Sequence, residues 1–176
     1  MLAYLFVLIA VAVRFMPHPW TFTPVAGALL FFGARGSRRQ LWLPFALLVG
    51  SDVLLSKLVW AYPLSWDLLV SWAWYAAILW LGTNLRTSSK PWRVIGAALA
   101  SSVSFFLWSN FAVWAAWNMY PKTATGLMLC YAAGLPFFRH AIVGDLLFTS
   151  VMFATPVALH ALAGKFGDSI RHRAAV

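Results

Sequence analysis

The sequence predicts an all-α membrane protein of six transmembrane helices, and three observations carry that prediction. Of 176 residues, 62% are hydrophobic and only 10% are charged, whereas the surface of a small water-soluble domain takes roughly 25–35% charged residues. The acids number four, all of them Asp. The 13 Lys and Arg gather between apolar runs, at Arg35, Arg38 and Arg39, at Arg86, Lys90 and Arg93, and at Lys165, Arg171 and Arg173. Basic clusters spaced this way mark the cytoplasmic loops of a chain whose outside is lipid. The net charge of +9 is therefore assigned to those loops and not to nucleic acid, which needs its cations on one continuous polar face.

Crossing lipid takes about 20 apolar residues as a helix, because every backbone group must find its partner within the segment. The first span covers 2–16; no Lys or Arg precedes it to form the n-region of a secretory signal, so it is expected to be retained. Pro17 and Pro19 end it, and a second span, 20–34, closes at Gly33 and Gly36. Spans over 41–59, 67–84 and 93–115 follow, separated by Pro63 and by the stretch from Ser88 to Pro91. After Pro121, the apolar run from Gly126 to Phe138 is about 13 residues, too short to cross and expected as a re-entrant or interfacial segment. The last span is 140–163. No repeat interrupts the chain, so residues 1–176 form a single integral membrane domain.

With both termini in the cytoplasm of a bacterial inner membrane, nine basic residues fall inside. Four (Arg14, Lys57, Lys122 and Arg139) fall outside. Counting 126–138 as a seventh crossing reduces the contrast to seven against six. Trp20, Trp60, Tyr62, Trp66, Trp117 and Tyr120 flank the outer loops as an interfacial belt.

Ionisable and amide side chains at membrane depth are costly, so each is a candidate for function. At about 1.5 Å per residue, Asp52 stands about 16 Å deep in the third span and Asn110 about 25 Å up the fifth. Asp145 lies about 8 Å below the outer boundary if the last span begins at 140. Arg14, His18, Asn110, Arg139, His140 and Asp145 then share one outer half of the bundle. Each also has a purely structural reading: Arg14 snorkelling to headgroups, Asp145 pairing with Arg14 or Arg139, Asn110 bridging helices. Asp52 has no cation at helical spacing, since Lys57 is five residues on. Cys130, the single cysteine, excludes an intramolecular disulfide and any cysteine-based zinc site. His140 and His160 are too far apart to ligate one metal. The short second span with Pro24, and the 126–138 run with Pro136, are interrupted segments of the kind that line ligand sites in transporters. No nucleotide-binding loop, G-x-S-x-G or H-E-x-x-H is present, so neither catalysis nor a cofactor is expected.

Several blocks carry a family resemblance. They are Phe22-Thr23-Pro24-Val25 with Phe32-Gly33, Pro44 with Ser51-Asp52, and Phe105-Phe106 with Ser109-Asn110-Phe111 and Trp114. The longest runs from Tyr120-Pro121 through Gly126-Leu127, Cys130-Tyr131, Leu135-Pro136-Phe137-Phe138 and Gly144-Asp145-Leu146. In these the chain resembles an uncharacterised family of small bacterial membrane proteins similar to the substrate-binding S components of energy-coupling factor (ECF) vitamin transporters. It differs in having Thr21 where an Asn is expected, and in lacking an Ala-x-x-x-Ala spacing among Ala3, Ala10 and Ala12. That spacing is how S components dock to an ECF-type energising module, so this partner gains little support.

The resemblance implies a six-helix bundle with an outward-facing pocket for a vitamin-like small molecule. Substrate contacts are expected from Asn110, Asp145, Arg139, His140 and Arg14, from Tyr120 and Tyr131 in the cap, and from Asp52 below. The alternative is a noncatalytic accessory or assembly subunit whose buried polar groups only fix helix packing.

Overall fold

The run Val25-Ala-Gly-Ala-Leu-Leu-Phe-Phe-Gly-Ala is apolar all round the helix, small and large residues interspersed, with no charge until Arg35. Such a helix can be enclosed by neighbours on every side. In the computed structural model, which describes residues 1–16, 22–59, 61 and 63–174, that is its place. Every residue of helix α2 (Val25–Arg35) from Val25 to Ala34 is buried. Around it pack α1 (Leu2–Val13), α4 (Asp67–Thr83), α5 (Pro91–Ala116) and α6 (Ala124–Ala174). Helix α3 (Trp42–Leu54), preceded by a 3-10 turn at Arg38–Gln40 and continued by a π-helical turn at Leu55–Val59, lies against α1 and α4. No strand occurs among the described residues.

Lipid tails are as apolar as Leu, so helices in a membrane associate by close packing more than by hydrophobic burial. Glycines bring α2 and α4 together. A Cβ built on Gly33 would stand 2.4 Å from the Leu79 carbonyl oxygen, and one on Gly82 would stand 2.5 Å from the Leu30 carbonyl oxygen. At the other end of α2, Gly27 meets the Thr149 backbone of α6 in the same way. Large apolar side chains such as Leu8, Trp80, Trp108 and Val143 are exposed, as expected of a lipid-covered exterior.

The basic loops meet at one end of the bundle. Arg86 donates to the Gly36 carbonyl at 2.8 Å, Arg35 reaches Ser89 at 3.4 Å, and Arg93 donates to the Asn84 carbonyl at 3.1 Å. Tyr4, near the N-terminus, donates to Gln40 in the loop after α2. The ends of α2 and α4, the starts of α1, α3 and α5, and the Pro156–His160 stretch of α6 thus share this end.

Three departures from the expected spans stand out. Three helical stretches among the described residues are long and apolar enough to cross a membrane: Arg38–Val59, Pro91–Ala116 and Ala124–Lys165. Leu2–Val13 and Val25–Arg35 are apolar but shorter, about 18 and 16 Å at helical rise. The expected re-entrant segment at 126–138 is instead the beginning of α6, which runs unbroken through Pro136 and Pro156. A proline removes one N–H and leaves the carbonyl four residues earlier without its usual donor, yet neighbouring groups in a membrane bundle tolerate this. His18, Trp20, Thr21, Trp60 and Tyr62 lie outside the described residues, as do the side chains of Arg171 and Arg173.

Candidate functional site

Helix α1 ends at Arg14, which turns its guanidinium inward; only 13% of the side chain is exposed. One branch pairs with Asp52 of α3, and the other donates to Ser51 Oγ at 2.7 Å and reaches the Leu48 carbonyl at 3.5 Å. Ser51 itself donates to that carbonyl at 2.7 Å. Two donors from α4 complete the Asp52 carboxylate: Trp72 Nε1 at 3.0 Å to Oδ2 and Tyr75 OH at 3.3 Å to Oδ1. Asp52 therefore has the cation that its own helix does not supply, and Arg14 does not snorkel outward. The cluster ties three helices together as a net-neutral unit.

Beside it lies a cavity of about 310 Å³, lined by Arg14 and Tyr75, by Thr23, Val25 and Ala26 at the start of α2, by Leu55 in the π-helical turn, and by Trp74, Phe105, Ala141 and Asp145. π-helical turns are rare and recur at functional sites. Here the turn begins at Leu55, at the end of the helix that carries Asp52, and brings Leu55 to the cavity wall. Trp74 is held by a 3.0 Å hydrogen bond to Ser104 and packs on Phe105 with ring centroids 4.8 Å apart. The aromatic side of the cavity is thus fixed before anything enters.

Asp145 stands about 30 Å along α6, because that helix begins at Ala124 and not at 140. There it shares a cavity wall with Arg14 of the Arg14–Asp52 cluster. It is 8% exposed and accepts one hydrogen bond, from Ser102 Oγ of α5 at 2.6 Å on Oδ2. Among the described residues it has no cationic partner; neither Arg14 nor Arg139 pairs with it. Ser102 also lines a second cavity, of about 180 Å³ between α5 and α6, bounded by Phe105, Phe106, Ser109, Asn110, Gly134, Phe137, Phe138 and Ala141. Phe105 and Ala141 belong to both cavities.

Of the residues singled out in the sequence, Arg14, Asp52 and Asp145 come together at the larger cavity, the first and last in its wall and Asp52 directly behind it. Asn110 lines the smaller one; its amide donates to the Phe106 carbonyl at 2.8 Å, and its side chain packs where Gly134 leaves room. Tyr131 donates to the Leu107 carbonyl at 2.8 Å, which fastens α6 to α5. His140 bonds within its own helix, to the Pro136 carbonyl at 2.8 Å, and is exposed, as is Arg139. Tyr120 is half-buried in the α5–α6 connection. None of these last four lines either cavity. Cys130 is buried and directs its thiol at the Asn110 carbonyl, 3.4 Å away.

Sequence reasoning did not single out Tyr75, Trp72, Trp74, Ser102 or Phe105 as site residues. Their types are common in membrane spans, and nothing in their spacing marks them until the helices are packed. Among the described residues, no three His, Cys, Asp or Glu converge as a metal site.

The chain belongs to a family of unknown function, DUF6580, whose model matches residues 1–165. No curated protein and no solved structure matches it.

Proposed function

We propose that this protein binds a small molecule inside its helical bundle, as the substrate-binding component of a transporter. The observation that carries this reading is the cavity of about 310 Å³ with Arg14, Thr23, Tyr75 and Asp145 in an otherwise apolar wall that includes Trp74 and Phe105. Ligand sites combine such concave, mostly apolar walls with a few placed polar groups, in volumes from about 300 Å³ upward. Intramembrane ionisable residues that line a cavity are the usual marks of a substrate pathway.

Two further points support it. The cavity lies at the start of α2, away from the end where Arg35, Arg86 and Arg93 meet. With those basic loops in the cytoplasm of a bacterial inner membrane, the cavity belongs to the outer half, where a solute arrives from outside. The sequence blocks that resemble S components agree with a pocket of this kind, and a vitamin-like solute is the class they suggest. The role is one of binding, without chemistry on the ligand.

A second reading is favoured by the Arg14–Asp52 cluster, whose groups are satisfied within the protein. An accessory subunit held together by buried polar contacts would have such a cluster. It would have no use for an uncompensated Asp145 beside a cavity.

Native mass spectrometry of the protein, purified in mild detergent from its producing cells, separates the two. A retained small molecule that is lost in Phe105→Trp, which fills the cavity, is the result expected for a binding protein. A ligand-free spectrum, together with failure of a panel of small solutes to shift thermal unfolding, favours the accessory subunit.

A further inference from the structure

The charges around the larger cavity do not balance. Arg14 directs one branch of its guanidinium to Asp52 and the other to Ser51 and the Leu48 carbonyl. Asp52 in turn is surrounded by Arg14, Tyr75 and Trp72. That pair cancels and leaves little capacity for a ligand. Asp145 is the acid left over, with no ion-pair partner among the described residues. It is more than nine-tenths buried, lines the cavity, and among the described residues has a single neutral donor, Ser102, on one of its two oxygens. A buried carboxylate with an unmet oxygen favours whatever brings it a cation.

The aromatic part of the wall is suited to the same visitor. Trp74, Tyr75 and Phe105 line the cavity, and Trp74 packs against both of the others, at 5.9 and 4.8 Å between ring centroids. The faces of aromatic rings attract ammonium groups, most strongly where water is excluded. An anion would add a second negative charge next to Asp145. A bare metal ion would meet too few ligands, since hard cations take six or more oxygens and Asp145 is the single carboxylate in the wall.

We infer that the cavity takes a small organic monocation, an amine or ammonium group attached to an apolar or aromatic body, with Asp145 as its counter-ion. This rests on the binding reading above and narrows it to one charge class. The ammonium donates to the free Asp145 oxygen, Ser102 holds the other oxygen in place, and the apolar body lies against Trp74 and Phe105.

The test compares three probes of similar shape on the full chain in nanodiscs of zwitterionic lipid: 2-phenylethylammonium, 2-phenylethanol and 3-phenylpropionate, measured by calorimetric titration. Saturable binding of the cation alone is expected. Asp145→Asn should weaken it at least tenfold, with Asp145→Glu restoring part of the loss and Phe105→Trp abolishing it. The ranking of probes in the unaltered protein requires no variant to fold. If the alcohol or the carboxylate binds as well as the amine and Phe105→Trp blocks it, the charge class is overturned while the binding reading stands. Cation binding that is indifferent to Asp145→Asn overturns Asp145 as counter-ion. If no probe binds, the charge of any molecule retained through native mass spectrometry decides: a cation upholds the inference, a neutral or anionic molecule overturns it, and no retained molecule removes both readings.

Discussion

Arg14 and Asp52 sit on different helices, and each is the other's only charged partner among the described residues, so their coupling can be measured by a double-mutant cycle. Arg14→Met leaves Asp52 with its two neutral donors, Trp72 and Tyr75. Asp52→Ala takes away the acceptor for three donors at once and leaves a guanidinium held only by Ser51 and a carbonyl. Removing one member of a buried pair costs about 3–5 kcal/mol in water-soluble proteins. In lipid each neutral hydrogen bond is worth only about 0.6 kcal/mol, because unfolded helices in the bilayer also find partners. The expected losses are therefore about 2–3 kcal/mol for Arg14→Met, whose orphaned carboxylate can take up a proton, and about 3–4 kcal/mol for Asp52→Ala. The double variant carries no stranded charge and should lose only about 2 kcal/mol, giving a coupling energy of about 3–5 kcal/mol. Reversible unfolding in mixed micelles, followed by tryptophan fluorescence, measures all four corners of the cycle. Losses that add within about 0.5 kcal/mol would refute the pairing as the source of stability and return Arg14 to the headgroups.

Gly33→Ala should cost about 1–3 kcal/mol by forcing α2 and α4 apart, since its Cβ would meet the Leu79 carbonyl at 2.4 Å. Gly96→Ala, where a Cβ meets nothing within 4 Å, serves as the control and should be neutral or slightly stabilising by thermal unfolding. Thr149 Oγ1 is buried with no hydrogen-bond partner among the described residues, so Thr149→Val should raise stability by about 1 kcal/mol; a drop in the same assay would mean that the hydroxyl has a use. Lys122 reaches the Trp114, Ala115 and Trp117 carbonyls at the end of α5 and lies 5.6 Å from the Trp114 ring centroid. Lys122→Met should therefore speed backbone amide exchange at the α5–α6 connection and leave exchange in α2 unchanged.

The α6 helix illustrates how sequence reading reached its limit. Pro136 and the short run at 126–138 are an interruption by local rules, because proline breaks a helix surrounded by water. Packed on α5 through Gly134 and Tyr131, the same residues continue as helix. That one change places Asp145 well inside α6, in the wall of the cavity. Asn110 tells a related story: its depth alone could not distinguish the adjoining cavity from the larger one. Arg139 and His140 share α6 with Asp145, but a helix turns about 100° per residue, and their exposure shows that they fall on a different face.

What the sequence by itself determined is the class of the protein and the identity of its costly residues. Sparse charge and long apolar runs permit only a helical membrane protein, because lipid cannot satisfy an open backbone. Arg14, Asp52 and Asp145 are recognisable as expensive from their surroundings in the chain alone. Tertiary structure decided which of them meet. Pairing depends on helix rotation, on the close approach that glycines such as Gly33 and Gly82 permit, and on where each helix begins, none of which a local pattern encodes. Packing gave Asp52 the cation that its own helix lacks and, among the described residues, left Asp145 without one, which separates an acid that ties three helices together from one that lines a cavity.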